Sequence, residues 1–289
     1  MKRITKPAAA CLAAGGALFL GKGLDSRLET THYQILSRKI PPGFNGYKIV
    51  QISDYHCDYI PKLVETIRIE KPNIIVSTGD MVNDKGSFEP AVRLFFKLSH
   101  IAPVYAVTGN HDVWRGDYRR MMRSFESAGA SFLHNKRVFF TRGDAKISLS
   151  GIADPYSRVS EKITRTLHHS LDMLDRYDGF DILLFHRANL LDELKNRGFD
   201  LILSGHMHGG QVRLPGIGGM VSPKTNMAER NSRMLFPHYF GGLYDAGHTK
   251  MIVSRGLGNP MIVPRIFNRP ELVVIELEHQ TDTVNAKKQ

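Results

Sequence analysis

The sequence predicts an α/β fold built on two β-sheets with helices outside them. Three observations lead there. Short, almost continuously apolar runs recur along the chain, the pattern of strands buried on both faces. Helical stretches separate the first of these runs, which implies an α/β arrangement. A later hairpin and two C-terminal strand segments break that alternation and suggest a second sheet. At 289 residues, 42 % of them hydrophobic, the chain is long enough to bury a substantial core as one large domain or two small ones.

Taken in order, the first residues read as a targeting segment. Lys2, Arg3 and Lys6 form a basic start, and the apolar run Pro7–Leu20 falls short of the ~20 residues of a comfortable spanning helix. Residues 1–23 are therefore expected to be a signal peptide or a short membrane anchor. That places the protein at a membrane or outside the cytoplasm. Residues 24–44, polar from Asp25 to Ser37 and turning at Pro41-Pro42-Gly43, are expected to form a connector.

Strand signals come next, at Tyr47–Ser53, Asn73–Thr78 and Pro103–Thr108. Helical spacing is seen between and after them at Ile60–Glu70, Phe88–Ser99 and Tyr118–Ala128. A hairpin is expected from Val138–Thr141 and Lys146–Gly151, turning at Gly143-Asp144. Val159–Leu174 carries Ile163, Leu167, Leu171 and Leu174 at helical intervals. Further strands are expected at Phe180–Phe185, Leu201–Ser204, Lys250–Ser254 and Leu272–Leu277, with a long loop over Gly209–His238. The expected domain runs from residue 45 to 280, with 281–289 a polar tail. No internal repeat is visible, which argues against a solenoid or propeller.

The formal net charge of +11 favours anionic company: phosphorylated substrates, acidic membrane surfaces or nucleic acid. The two cysteines, Cys11 and Cys57, exclude a disulfide scaffold and a four-thiolate zinc site.

The chemistry lies in the residues just past the strand ends. After the first strand comes Ser53-Asp54-Tyr55-His56, and after the second Gly79-Asp80-Met81-Val82-Asn83-Asp84. The third ends in Gly109-Asn110-His111-Asp112, the fourth at His186, and the fifth in Gly205-His206-Met207-His208-Gly209-Gly210. Ligands of α/β sheets collect beyond the carboxyl ends of strands. In extended chain, residues two apart project to one side, so Asp54 with His56 and His206 with His208 are each expected to share a cavity. Carboxylate, amide oxygen and imidazole without thiolate suit Mn, Fe, Zn or Co.

The series Asp-x-His, Gly-Asp, Gly-Asn-His-Asp, His and Gly-His-x-His resembles the calcineurin-like metallophosphoesterase superfamily over Asp54 to His208. The extended motif Gly-His-Met-His-Gly-Gly-Gln, with Ser254-Arg255-Gly256-Leu257-Gly258, resembles its bacterial exported or membrane-associated branch. Some relatives there cleave a UDP-diacylglucosamine lipid precursor.

The resemblance implies a four-layer αββα sandwich of two mixed sheets flanked by helices. It implies a first metal held by Asp54, His56, Asp80 and His208, and a second by Asp80, Asn110, His186 and His206. Two cations roughly 3.5–4 Å apart would share a hydroxide and clamp the phosphate oxygens. His111 would donate to the phosphoryl group or protonate the leaving oxygen, and Asp112 would orient His111.

The expected activity is a metal-dependent phosphohydrolase cleaving phosphodiester, phosphomonoester or pyrophosphate bonds. A UDP-diacylglucosamine pyrophosphatase, a nuclease and a non-catalytic binding module of the same fold are the alternatives. The expected substrate is a phosphorylated small molecule or lipid, and a membrane surface is favoured over nucleic acid as partner. No zinc finger or aromatic RNA-binding signature is present.

Other residues have plainer readings. Arg187 is expected to meet substrate phosphate or to be a solvated charge. Cys57 should be a packed thiol, His168-His169 a solvated face, and Phe95, Phe96 and Phe125 core. His238 and His248 fall in distal loops, where substrate contact is open. Asn83 can serve the site or shape a turn. Arg119, Arg120 and Arg123, with Arg255, Arg265 and Arg269, either flank the cleft or keep the protein soluble.

Overall fold

The computed structural model describes residues 21–155, 160–221, 235–260 and 263–281. Two six-stranded sheets form its centre. The first runs β1 (Glu29–Ser37), β14 (Glu271–His279), β2 (Tyr47–Ile52), β3 (Ile74–Ser77), β4 (Val104–Ala106) and β5 (Ala130–Phe132). Its pairings are parallel except β14 with β2. The second runs β12 (Gly242–Ala246), β13 (Thr249–Val253), β9 (Leu201–Gly205), β8 (Asp181–Arg187), β7 (Ala145–Gly151) and β6 (Lys136–Arg142). There β12–β13 and β6–β7 are antiparallel and the remaining pairs parallel. The expected hairpin is the β6–β7 pair.

Alternation along the strands produces the layers. Ile49 of β2 faces the space between the sheets with Val76, Leu149, Ile182, Leu203 and Ile275. Its neighbours Val50 and Ile52 face the other way, onto Leu63, Ile67, Phe95 and Phe125. Those residues belong to α1 (Leu63–Glu70), α2 (Glu89–Ser99) and α4 (Tyr118–Ser127). The single turn α3 (Asn110–Val113) stands between the last two, directly after β4. Ile202 of β9 turns outward to meet Ile163 and Leu167 of α5 (Ser160–Asp172) and Leu194 of α6 (Leu191–Leu194). The result is the four-layer sandwich of two mixed sheets flanked by helices. Each fully buried aliphatic or aromatic side chain contributes roughly 1.5–3 kcal/mol relative to exposure.

Local chemistry sets the helix ends. α1 begins at Leu63 and not Ile60, because Lys62 before it is left-handed at φ 62°. It stops at left-handed Lys71 ahead of Pro72, since the residue before a proline disfavours helical geometry. In α2, Pro90 stands in the first turn, where a missing N–H costs nothing. Phe96 departs from expectation: Phe95 and Phe125 are buried with ring centroids 5.0 Å apart, whereas Phe96 is 55 % exposed. Adjacent helical residues point about 100° apart, and the core face of α2 runs through Leu94, Phe95 and Leu98, which leaves Phe96 on the solvent side.

The connector reading of residues 24–44 is corrected. Glu29–Ser37 is strand β1, paired in parallel with β14 from Glu29↔Glu271 to Ser37↔His279. It is an edge strand in which Ile35 alone is fully buried, so its composition is that of a solvated surface. Polar pairs hold it, with Thr31 Oγ1 donating to Glu271 Oε1 at 2.6 Å and Gln34 Nε2 to Glu278 Oε1 at 2.5 Å. Within the expected long loop, Arg213–Leu214 (β10) and Gly218–Gly219 (β11) form a small antiparallel hairpin. The N-terminal run to Leu20, part of that long loop and the end of the polar tail lie outside the described residues. Among the described residues, no helix is long and apolar enough to cross a membrane.

Candidate metal centre

The loops after β2, β3, β4 and β9 converge on the end of β8, which carries His186. Those after β2 and β3 are zipped together by backbone bonds: Asp54 N to Gly79 O at 2.9 Å, His56 N to Asp80 O at 3.1 Å, Cys57 N to Met81 O at 3.2 Å. The loop after β9 is tied in where His206 N donates to the Asp54 carboxylate at 3.1 Å. Two glycines allow the approach. Gly79 has φ 97°, and a Cβ there would strike the Gly109 backbone; one on Gly205 would strike Ser53 Oγ and Asp54 Oδ2.

The extended geometry expected for the Asp-x-His and His-x-His pairs is not what the fold uses. Asp54, His56, His206 and His208 all have positive φ, at 51°, 50°, 73° and 47°, and Asp80 joins them at 53°. These are tight left-handed turns just past the strand ends. Each such non-glycine residue costs on the order of 1–3 kcal/mol, which the surrounding structure must hold in place.

Two groups of donors result. Asp54, His56 and His208 offer ligand atoms within 4.8 Å of one another, and so do Asp80, His186 and His206; all six side chains are buried. Asn110 joins the second group. His186 Nε2 lies 3.2 Å from Asn110 Oδ1, 3.1 Å from Asp80 Oδ2 and 3.1 Å from His206 Nδ1. All seven predicted ligands are thus brought to one place.

Outer partners aim the imidazoles. His186 Nδ1 donates to Thr78 O at 2.8 Å, which leaves its Nε2 facing the centre. His56 Nδ1 lies 3.0 Å from Asn83 Oδ1, and Asn83 Nδ2 donates back to His56 O at 3.0 Å. Such contacts set the ring orientation and tautomer of a ligating histidine. His56 Nε2, His206 Nε2 and His208 Nδ1 are buried without a hydrogen-bond partner. Buried polar atoms are seldom left so, and a cation held with Asp54 and His208 would satisfy His56 Nε2, whose other ring nitrogen is taken by Asn83. The residues present therefore fit two metal ions.

The electrostatics agree. Burial pushes His56 down to about 4 and holds His206 and His208 well below the usual histidine range, which keeps them neutral and able to ligate. Burial also works against charge on His186, but Asp80 and Asp54 outweigh it and carry the imidazole up to about 10. Asp80 is buried too, yet the His186 charge holds it well below the carboxylate range. Burial, with Asp80 adding to it, raises Asp54 to about 6. A cation held by His186 would need its imidazole deprotonated at the ligating nitrogen, and would replace that proton as the counter-charge to Asp80.

His111 stands at the rim of this centre. Its ring lies edge-on to that of His56 at 5.1 Å, and its backbone N–H donates to Asp80 Oδ1 at 2.8 Å. Its expected partner Asp112 is corrected. The Asp112 carboxylate is buried and accepts the backbone N–H groups of Asp80 and Gly109 at 2.8 Å, Met81 at 3.0 Å and Val82 at 3.3 Å. It holds the loop that carries Asp80. The partner of His111 is Asp84, with Oδ1 2.5 Å from Nδ1. Arg115 in turn fastens that loop, donating to Asn83 O at 2.6 Å and Gly86 O at 2.9 Å. Asp84 closes the Gly79–Asp84 motif, four residues beyond Asp80; that spacing was the available signal.

Both readings of Arg187 are overturned. It is buried and forms a two-pronged ion pair with Asp154 at 2.7 and 2.9 Å. Of the other arginines, Arg255 binds Glu271 and Glu29 at 3.0 and 3.1 Å. Arg265 donates to Gly258 O and Arg255 O, and Arg269 to Arg27 O and Leu28 O. Arg119, Arg120 and Arg123 instead border a cleft of about 810 Å³ next to Val113 and Asp154. Cys57 is a packed thiol whose Sγ lies 3.7 Å from Met81 O, and His168 meets Glu193 at 2.8 Å on a half-exposed face.

Comparison with known proteins agrees with this geometry. The model of the calcineurin-like phosphoesterase family matches residues 47–210. The chain is 31 % identical over 284 residues to the uncharacterized metallophosphoesterase YkuE of Bacillus subtilis (strain 168), covering 94 % of this chain and 93 % of the relative. It is 25 % identical over 241 residues to phosphodiesterase YaeI of Escherichia coli (strain K12), covering 80 % and 82 %. Among solved structures, the phosphopantetheinyl hydrolase PptH of Mycobacterium tuberculosis aligns with a TM-score of 0.47 at 10 % identity, over 74 % of this chain and 91 % of that one. With the ligand series gathered into two donor groups and the family model spanning all five motifs, the chain belongs to the calcineurin-like phosphoesterase family, whose members hydrolyse phosphoester bonds.

Proposed function

We propose that the protein hydrolyses a phosphodiester, phosphomonoester or pyrophosphate at a centre of two metals. Asp54, His56, Asp80 and His208 would hold one, and Asp80, Asn110, His186 and His206 the other. The observation that carries this reading is the gathering of buried imidazole and carboxylate ligand atoms into two groups, each with its atoms within 4.8 Å of one another. When bound, the cations supply Lewis acidity and a water acidified for attack.

The chain's own residues do the rest. His111, its Nδ1 held by Asp84, presents Nε2 to donate a proton or hydrogen bond to the phosphoryl or leaving oxygen. Asp112 keeps the Asp80 loop in register, and Thr78 and Asn83 keep His186 and His56 turned inward. The group of Arg119, Arg120 and Arg123 offers positive charge to an anionic substrate beside the centre.

A lipid-linked substrate, such as an acylated sugar nucleotide, is a second reading. It is favoured by a cleft of about 820 Å³ with apolar walls at Leu24, Leu28, Ile60 and Leu257, next to the Asp54–Asp58 loop. We place the protein at a membrane or outside the cytoplasm, on the strength of its N-terminal residues.

The test is turnover of a phosphoester panel, with metal analysis, by wild type and Asp80→Asn. Wild type should turn over at least one class with two metals bound, and Asp80→Asn should lose both metal and rate. Equal activity in the two proteins would refute the mechanism. Comparing acylated sugar nucleotides with simple nitrophenyl esters separates the two substrate readings, and strong salt sensitivity with DNA or RNA would point to a nuclease instead.

A further inference from the structure

Five of the large apolar side chains exposed among the described residues gather in one set of loops. Leu24, Ile217, Leu235, Phe236 and Val263, each 47–63 % exposed, belong to loops tied to one another by main-chain and side-chain bonds. Phe267 N donates to Gly23 O at 2.6 Å, and Gly23 lies against the Phe267 ring. Ile266 bridges to Val212, and Arg213 N donates to Ile266 O at 2.8 Å. Gln211 Nε2 reaches Val263 O at 2.5 Å. Val221 bridges to Leu235, and Phe236 N donates to Met220 O at 2.9 Å. Ile217 sits at the turn between β10 and β11.

The chain enters the domain at this rim. The fourteen-residue apolar run Pro7–Leu20 joins the described chain at Gly21, three residues before Leu24. That run is short for a span, and firm membrane attachment generally takes two signals, not one. Exposed apolar side chains grouped on loops mark an interaction surface. Basic residues also stand at the same end: Lys22 is exposed, and Arg213 is half-buried over the Phe240 ring at 5.6 Å.

We propose that the rim formed by Leu24, Ile217, Leu235, Phe236 and Val263 inserts into the surface of a lipid bilayer as the second attachment point beside the N-terminal segment. His206 and His208 lead directly into this rim through Gly209 and Gly210. Docked this way, the loop that carries His206 and His208 is anchored at the membrane surface. The inference concerns attachment, and it stands or falls apart from the reaction.

The test uses the full chain with vesicles of phosphatidylcholine and phosphatidylglycerol whose acyl chains are brominated. A tryptophan placed at the rim, as Ile217→Trp or Phe236→Trp, should shift to the blue on adding vesicles and lose emission to the bromines. Met173→Trp, at the exposed position just past α5, should do neither. Replacing Ile217, Phe236 and Val263 together by serine should weaken vesicle binding by roughly tenfold or more, while turnover of a soluble ester stays unchanged.

Three results would overturn the proposal: vesicle binding unaffected by the triple substitution, rim tryptophans unquenched on bound protein, or no vesicle binding at all. Rim tryptophans already blue-shifted before vesicles are added would also overturn it, by showing that the chain's own N-terminal segment covers the rim. Activity against the ester is read separately, so failure of the hydrolase reading is told apart from failure of this one.

Discussion

Asp84 Oδ1 lies 2.5 Å from His111 Nδ1, and that contact reassigns the orientation of the imidazole at the rim of the metal centre. Both side chains are part-exposed, at 38 % and 29 %, so the pair is open to substrate and solvent. A carboxylate on Nδ1 keeps the proton there and turns Nε2 toward the site. Asp84→Asn should lower kcat by about 10- to 100-fold while both metals remain bound. Turnover with metal analysis checks this, and loss of metal in that variant would mean that Asp84 supports the ligands and not His111.

His111→Ala should cut turnover further, by roughly 10²- to 10⁴-fold, again with the metals retained. His111 touches the ligand set through its backbone N–H to Asp80, which alanine preserves. A variant stripped of both metals would show that the side chain itself is a ligand.

Asp112 accepts four backbone N–H groups in a buried place. Each buried donor left without a partner costs about 1–3 kcal/mol. Asp112→Ala should therefore destabilise the fold by roughly 3 kcal/mol or more, read as a lowered urea midpoint. It should also weaken metal binding, because the loop it holds carries Asp80. Full stability in Asp112→Ala would refute the loop-holding role.

The Arg187–Asp154 pair makes a different prediction. Truncating either side of a buried ion pair strands the other charge and costs roughly 3–5 kcal/mol. Arg187→Met and Asp154→Leu should each unfold at markedly lower urea, while the double variant recovers much of the loss. If the effects of the two single changes simply add, the pair is not coupled in this way.

Metal binding should also stabilise the fold. A ligand that binds only the native state at about 100 times its Kd adds about 2.7 kcal/mol. Chelator-treated protein should melt lower and recover with Mn or Zn, and His206→Ala should show a smaller recovery. Unchanged melting on metal addition would count against a metal centre built into the native state.

The core strands could be read from the chain because burial on both faces leaves an unbroken apolar run that needs no partner to be recognised. β1 could not. An edge strand faces solvent on one side, and its partner β14 lies some 240 residues away. The same contrast holds in the site. Strand-end motifs carry donor types and order, so all seven candidate ligands could be picked from the motif series. The left-handed turns that aim them could not, because φ depends on which neighbouring loops close in around Asp54, Asp80 and His206.

Residue type and order along the chain therefore determined the fold class, the candidate ligand set and the place of His111. Only the tertiary structure decided which carboxylate serves which partner. Asp84 and Asp112 are chemically alike and both flank the site, yet one meets an imidazole and the other a fan of amides. Arg187 likewise looks like any surface arginine until Asp154, 33 residues away, is brought within 2.7 Å of it. Backbone periodicity is a local property that a sequence carries in itself, whereas the pairing of polar groups depends on which segments the packed sheets bring together.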